Sequence, residues 1–141
     1  MSAALVDTGP LVALFVRNDP DHARVAAFLR DFRGTLLTTL PVLTEVCHFL
    51  TPQVALRALR WVEAGGTALV DSPPAELGEV IGLMEKYADR PMDLADASLV
   101  WLGARTGVRE ILTLDAADFG VFRTRQGKPF KNLLAAGRAS R

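Results

Sequence analysis

Short apolar runs alternate with amphipathic stretches of helix length along most of the chain. Ala3 to Val6 reads as a buried strand stopped by Thr8-Gly9-Pro10, with Thr8 placed to cap a helix through about Val16. In Asn18-Asp19-Pro20, Asp19 is expected to cap and Pro20 to open a second helix. That helix carries Ala23, Ala26, Ala27 and Phe28 on one face and ends near Gly34. Leu36 to Thr38 is a second short strand. Pro41 starts a helix to about Phe49, and Thr51-Pro52 breaks it before another helix over roughly residues 53 to 64. Beyond Gly65-Gly66, Thr67 to Val70 reads as a strand, and Ser72-Pro73-Pro74 opens a helix to about Tyr87. A helix from about Asp93 to Arg105 ends at Thr106-Gly107. Glu110 to Leu114 is the last strand the pattern defines, and from about residue 120 it fades into a basic segment.

Strands separated by helices call for a parallel sheet covered on both faces, a three-layer α/β/α sandwich. No repeat, linker or low-complexity segment divides the 141 residues, so a single domain over 1–141 is expected. Half the chain is apolar and 23% is charged, which is globular composition and argues against disorder. The longest apolar stretches, such as Leu11 to Val16, are too short to span a bilayer, and no basic segment precedes an apolar one near Met1. Neither a membrane span nor a signal peptide is therefore expected. A lone Cys47 excludes an internal disulfide and fits a reducing, cytoplasmic setting. With His22 and His48 as the only histidines, a zinc cluster has too few ligands.

Charge changes the picture. The chain balances 16 basic against 16 acidic side chains, but Arg123, Arg125, Lys128, Lys131, Arg138 and Arg141 all lie after residue 118, where there is no acid. A basic tail beside an acidic body suits a protein that grips phosphates in one region and acts on them in another, and it equally suits a solubilising tail. Four acids stand out: Asp7 at the end of the first strand, Glu45 one turn into a helix, Asp96 in a helix's first turn, and Asp115 after the last strand. Each sits among apolar neighbours, where an ionised carboxylate is costly unless paired, and no Lys or Arg lies within four residues of Asp7 or Glu45. The carboxyl ends of parallel strands gather functional groups, so Asp7 and Asp115 should share an edge. An oxygen-only ligand set selects a hard cation such as Mg²⁺ or Mn²⁺, and such an ion supports attack on a phosphodiester.

The stretches Leu5-Val-Asp-Thr-Gly-Pro-Leu-Val12, Glu45 after its small-polar stretch, Asp96-Ala-Ser-Leu99 and Thr113-Leu-Asp-Ala-Ala-Asp-Phe119 resemble PIN-domain ribonucleases. The resemblance is strongest to the small VapC-type toxins of prokaryotic toxin–antitoxin pairs. Any one motif alone is weak; four in order and spacing over nearly the whole chain are specific. The resemblance implies a central parallel sheet and a pocket binding Mg²⁺ or Mn²⁺. It implies endonucleolytic cleavage of structured RNA, commonly tRNA or rRNA, by a homodimer paired with a cognate antitoxin. Asp7, Glu45, Asp96 and Asp115 match the family's acidic quartet, and Thr8 matches a small hydroxyl position near the site.

Other residues carry two readings. Asp93 shares a helix face with Asp96 and is either a fifth carboxylate or an N-cap. Asp118 is either a ligand or closes the turn after Asp115. His48, three residues after Glu45, reads as a hydrogen-bonded core histidine rather than a substrate contact. Arg105, Arg109, Arg123 and Arg125 are the arginines expected to grip an RNA backbone. Competing classes lack their signatures. A phospho-accepting receiver wants an acidic pair after the first strand, and a dinucleotide site wants a Gly-rich turn there, where this chain has Thr8-Gly9. A PIN fold used without catalysis, to bind RNA or scaffold, stays open.

Overall fold

Ala4, Leu5 and Val6 are wholly buried, so their strand can only lie in the middle of a sheet covered on both faces. The computed structural model describes residues 2–134 and places it there; Arg138 and Arg141 of the basic tail lie outside the described residues. Strands β1 (Ala3–Val6), β2 (Thr35–Thr38), β3 (Ala68–Leu69), β4 (Glu110–Leu112) and β5 (Lys131–Asn132) form one sheet in the order β3-β2-β1-β4-β5. Every adjacent pair is parallel, with Leu5 opposite Leu37 on one side and Ile111 on the other.

Parallel strands need crossovers, and helices supply them. Helices α1 (Thr8–Phe15) and α2 (His22–Asp31) link β1 to β2, and α3 (Leu40–His48) and α4 (Pro52–Glu63) link β2 to β3. A 3-10 turn (Pro74–Glu76), α5 (Leu77–Lys86) and α6 (Leu94–Thr106) return the chain to β4, and α7 (Ala116–Val121) leads to β5. Strand order steps one way through β1, β2 and β3, then crosses to β4 and β5 on the other side. Right-handed crossovers therefore put α1 to α4 on one face and α5 to α7 on the other, the expected three-layer sandwich. Helix α6 is the most deeply buried, with Ala95 and every residue from Ala97 to Gly103 in the core. Small side chains let it sit close to the sheet, and its Leu99, Val100 and Leu102 contribute roughly 1.5–3 kcal/mol each by burial. It stops at Gly107, whose φ of 77° is a left-handed cap that glycine adopts without strain.

Several local expectations are corrected. The first helix is capped by Asp7, not Thr8; the Asp7 carboxylate accepts the Thr8 N–H at 2.8 Å. The second helix starts at His22, because Asp19 closes a turn on the Asp21 N–H (2.8 Å) instead of capping. Its buried residue is Val25, with Phe28 and Leu29 half-buried, whereas Ala23 and Ala27 face solvent. The last long strand ends at Leu112, two residues early. There the Asn132 amide takes over from the ladder: Nδ2 donates to the Thr113 carbonyl (3.1 Å) and Oδ1 accepts the Thr113 N–H (3.4 Å). The short helix α7 follows β4, and the segment read as a fading tail contains β5.

Candidate active site

Between β1 and β4 the winding of the sheet reverses direction, and a crevice opens there beyond the strands' carboxyl ends. Asp7 follows β1 and Asp115 follows β4, so both acids border it. Asp7 is 7% exposed. Its backbone N–H extends the pairing with β4 by donating to the Leu112 carbonyl at 2.9 Å. Its side chain is fixed twice, by the Thr8 N–H and by the Thr113 hydroxyl, which donates to Oδ2 at 2.8 Å. The same Thr113 oxygen accepts the Asp115 N–H at 2.9 Å, so one buried threonine orients both acidic segments.

Glu45 and Asp96 come in from the two helices that start at this edge. Thr39 caps α3, and its hydroxyl lies 2.6 Å from that of Ser98 on α6. The Ser98 hydroxyl in turn donates to the Ala95 carbonyl at 2.7 Å. This relay ties the start of α3, the helix that carries Glu45, to the start of α6, the helix that carries Asp96. Asp93 caps α6, accepting the Asp96 N–H at 2.8 Å, while the Asp96 carboxylate reaches back to the Asp93 N–H, a capping box. Asp93 therefore caps as one of its two readings expected, and it stays beside Asp96.

Asp7 lies within electrostatic reach of Glu45, Asp115 and Asp96. Burial, with the nearby charges of Glu45 and Asp115, pushes the Asp7 carboxyl up to about 6 against the hydrogen bonds from Thr8 and Thr113. Asp96 is pushed up to about 8, first by burial and then by the charges of Asp93 and Asp7. Asp115 is raised as well, mainly by desolvation. Three neighbouring carboxyls held above their ordinary range are a donor set short of positive charge. Asp118 takes a different part. Its carboxylate is held down by Arg90, whose guanidinium donates to it at 2.9 Å, and its backbone N–H donates to the Asp115 carboxylate at 3.1 Å.

Among the described residues, no three His, Cys, Asp or Glu side chains already converge as a clamp for a metal ion. The carboxylates are neighbours, with Asp96 and Asp115 turned onto backbone N–H groups at their helix starts. The donor chemistry nonetheless fits a hard cation, being oxygen alone. Beside it the Thr8 hydroxyl oxygen is buried with no hydrogen-bond partner, a further oxygen with unspent capacity.

The basic residues fall differently from expectation. Arg105 stands nine residues along α6 from Asp96, roughly 13 Å down the axis, and is paired with Glu76. Arg109 precedes β4, at the opposite edge of the sheet from the crevice. Neither reaches the carboxylates, because α6 runs antiparallel to the strands and carries its last turn away from them. Arg123 donates to the carbonyls of Gly120, Val121 and Phe122, and Arg125 pairs with Glu79 at 3.2 Å. The basic side chain that meets the acidic cluster is Arg90, which sequence reasoning missed along with Thr113, Ser98 and Asn132. Thr113 and Ser98 do lie inside the quoted motifs; nothing local marks Arg90, which reaches Asp118 only through the fold. His48 is not a core residue: it is exposed, its ring edge-on to Phe49.

Comparison with known proteins agrees with this geometry. A family profile described as PIN domain matches residues 4–121. The chain is 31% identical over 130 residues to ribonuclease VapC26 of Mycobacterium tuberculosis, covering 89% of this chain and 96% of that one. Its fold is similar to that of M. tuberculosis VapC20, described as a sarcin-ricin loop cleaving toxin. There the TM-score is 0.74 at 15% identity, over 82% of this chain and 92% of that one. It is also similar to a chain of a toxin–antitoxin complex from Klebsiella pneumoniae, with a TM-score of 0.62 at 17% identity over 84% and 92% of the two chains. The crevice acids Asp7, Glu45 and Asp96 all fall within the matched span, as does Asp115, and the chain belongs to the PIN domain family, in its VapC-type ribonuclease branch.

Proposed function

We propose that this protein is a metal-dependent endoribonuclease that cuts structured RNA of the tRNA or rRNA class, acting as the toxin of a toxin–antitoxin pair. The observation that carries the reading is the buried Asp7, raised to about 6 by burial and by its neighbours Glu45 and Asp115 at the mouth of a parallel sheet. Asp7, Glu45, Asp96 and Asp115 would hold Mg²⁺ or Mn²⁺, with Thr8 beside them and Asp93 and Asp118 supporting. A cation bound there supplies charge against a phosphoryl oxygen and a water of lowered pKa. The chain's own part is to orient and to exclude: Thr113 and the Thr8 N–H hold Asp7 in one rotamer, and the Thr39–Ser98 relay holds the two helix starts. The Arg90–Asp118 pair sets a positive group at the rim, and Arg123 and Arg125 extend the grip on the RNA backbone.

The relative named as a ribonuclease and the neighbour named as a sarcin-ricin loop cleaving toxin support the substrate class. The toxin–antitoxin complex supports a protein partner. The exposed Phe49 and Leu56, 63% and 60% accessible, supply apolar area for such a partner or for a second copy in a homodimer. Among the described residues no helix is long and apolar enough to cross a membrane, consistent with a cytoplasmic enzyme.

The deciding experiment is cleavage of total cellular RNA by the purified protein with Mg²⁺ or Mn²⁺, beside EDTA and Asp7→Asn controls. Discrete fragments that need both the ion and Asp7 are expected, and end-mapping them gives the substrate. No cleavage in a preparation free of antitoxin, with no metal binding, would leave a non-catalytic RNA-binding or scaffolding module.

A further inference from the structure

Beside the carboxylates lies a groove of ≈ 550 Å³ that shares a wall with them through Glu45 and Asp93. Its lining includes the aliphatic Leu40 and Leu94, at the first positions of α3 and α6, which are 50% and 47% exposed. The lining also holds the polar Thr44, Glu45, His48 and Asp93. The Thr44 hydroxyl spends its hydrogen on the Leu40 carbonyl at 2.9 Å, so it offers the groove an acceptor. Asp93 brings a carboxylate to the groove, one oxygen of which accepts the Asp96 N–H at 2.8 Å. His48 presents an exposed imidazole. Among the described residues, no Lys or Arg lines the groove. It combines apolar area, one ring and several acceptors with no fixed positive charge, which suits a flat heterocycle with N–H donors and repels a phosphate.

We propose that this groove receives the unstacked nucleobase next to the phosphate held at the carboxylates, and that it favours guanine and disfavours uracil. The proposal rests on the nuclease reading above and names part of its specificity. Sequence-specific proteins read RNA largely through splayed bases, stacked on rings and hydrogen-bonded along their edges, and extruded bases are held between apolar or aromatic side chains. Leu40 and Leu94 would supply the apolar faces for such a base, with the His48 ring further along the groove. Guanine brings N1–H and N2–H donors side by side to a carboxylate, and the amino groups of adenine and cytosine bring part of that match. Uracil brings a single N–H between two carbonyls, which would face the groove's acceptors.

The test is amide NMR of the full chain with Mg²⁺, titrated separately with GMP, AMP, CMP and UMP, followed by cleavage of a randomised RNA pool and sequencing of the cut ends. The expectation is shifts at Thr44, His48 and Leu94 that saturate at a GMP concentration on the order of tenfold below that for UMP. Leu94→Arg, at an exposed position that keeps the fold's melting transition, should erase that difference and flatten the base preference at the cut. Shifts confined to the Asp7 and Asp96 region, or equal for all four nucleotides, overturn the base subsite while leaving the nuclease reading standing. No groove shift with any nucleotide overturns it too. The nuclease reading fails separately, if the wild type cuts no RNA with either ion.

Discussion

Ionising Asp7 without a cation works against folding. Its folded carboxyl titrates near 6, above the ordinary value near 3.9, so between those two values the native state binds more protons than the unfolded chain. Stability is then greatest below the lower value and is lost as pH rises through the window. Asp96, raised to about 8, extends the loss upward. The metal-free protein should therefore melt at lower temperature at pH 8 than at pH 5, and millimolar Mg²⁺ should flatten the difference; calorimetry across pH with and without the ion reads this directly. Asp7→Asn removes the buried charge while keeping the shape. It should stabilise the metal-free protein at pH 8 by about 1–3 kcal/mol in urea melts and abolish cleavage. A destabilised Asn variant would mean that the Thr8 and Thr113 hydrogen bonds outweigh desolvation. The acids were legible in the sequence because a charge in an apolar stretch calls for an explanation. Thr113, Ser98 and Arg90 were not, since a hydroxyl or an arginine is at home in many places and only tertiary contact shows its partner.

The relay from Thr39 to Ser98 to the Ala95 carbonyl makes α3 and α6 act as one unit. Thr39→Val keeps the volume but removes the helix cap and the hydrogen bond to the Ser98 hydroxyl, which keeps its bond to the Ala95 carbonyl, and should cost about 1–2 kcal/mol of stability. Because Glu45 rides on α3, the rate of RNA cleavage should fall more than the affinity for RNA does. Equal effects on both would show that the relay only supports the fold. At this scale the sequence was most readable where helices carry strong punctuation: Pro41, Pro52 and Gly107 place their helix boundaries within a residue or two. It was least readable at α7 and β5, six and two residues long. Elements that short carry too few positions for a period to register. They exist because the Asn132 side chain clasps Thr113 and because the Arg123 N–H donates to the Tyr87 hydroxyl at 2.9 Å.

Across the whole molecule, alternation of strand and helix was enough to read a parallel sandwich, but not the strand order, which depends on which way each crossover turns. Charge placement was readable as a total and misleading in detail, since Arg105 is consumed by Glu76 far from the crevice. The Arg125–Glu79 pair is exposed and so worth at most about 1 kcal/mol, little enough for a phosphate to displace Glu79. Replacing Arg123 and Arg125 by Gln should weaken RNA binding without changing the cut site, and should lower the slope of affinity against salt by about 1–2. An unchanged slope would remove both from the RNA path.

The central place of β1 has a consequence in time. Residues emerge from the ribosome in chain order, at about 5–20 per second, so β1 is made first, yet its second neighbour β4 begins only at Glu110 and the clasp on Thr113 arrives with Asn132. Until then Asp7 has neither the Leu112 carbonyl nor the Thr113 hydroxyl to hold it. For a protein proposed to cut RNA, the delay is protective: the nascent chain cannot complete the support around Asp7 until β4 and Asn132 have been synthesised.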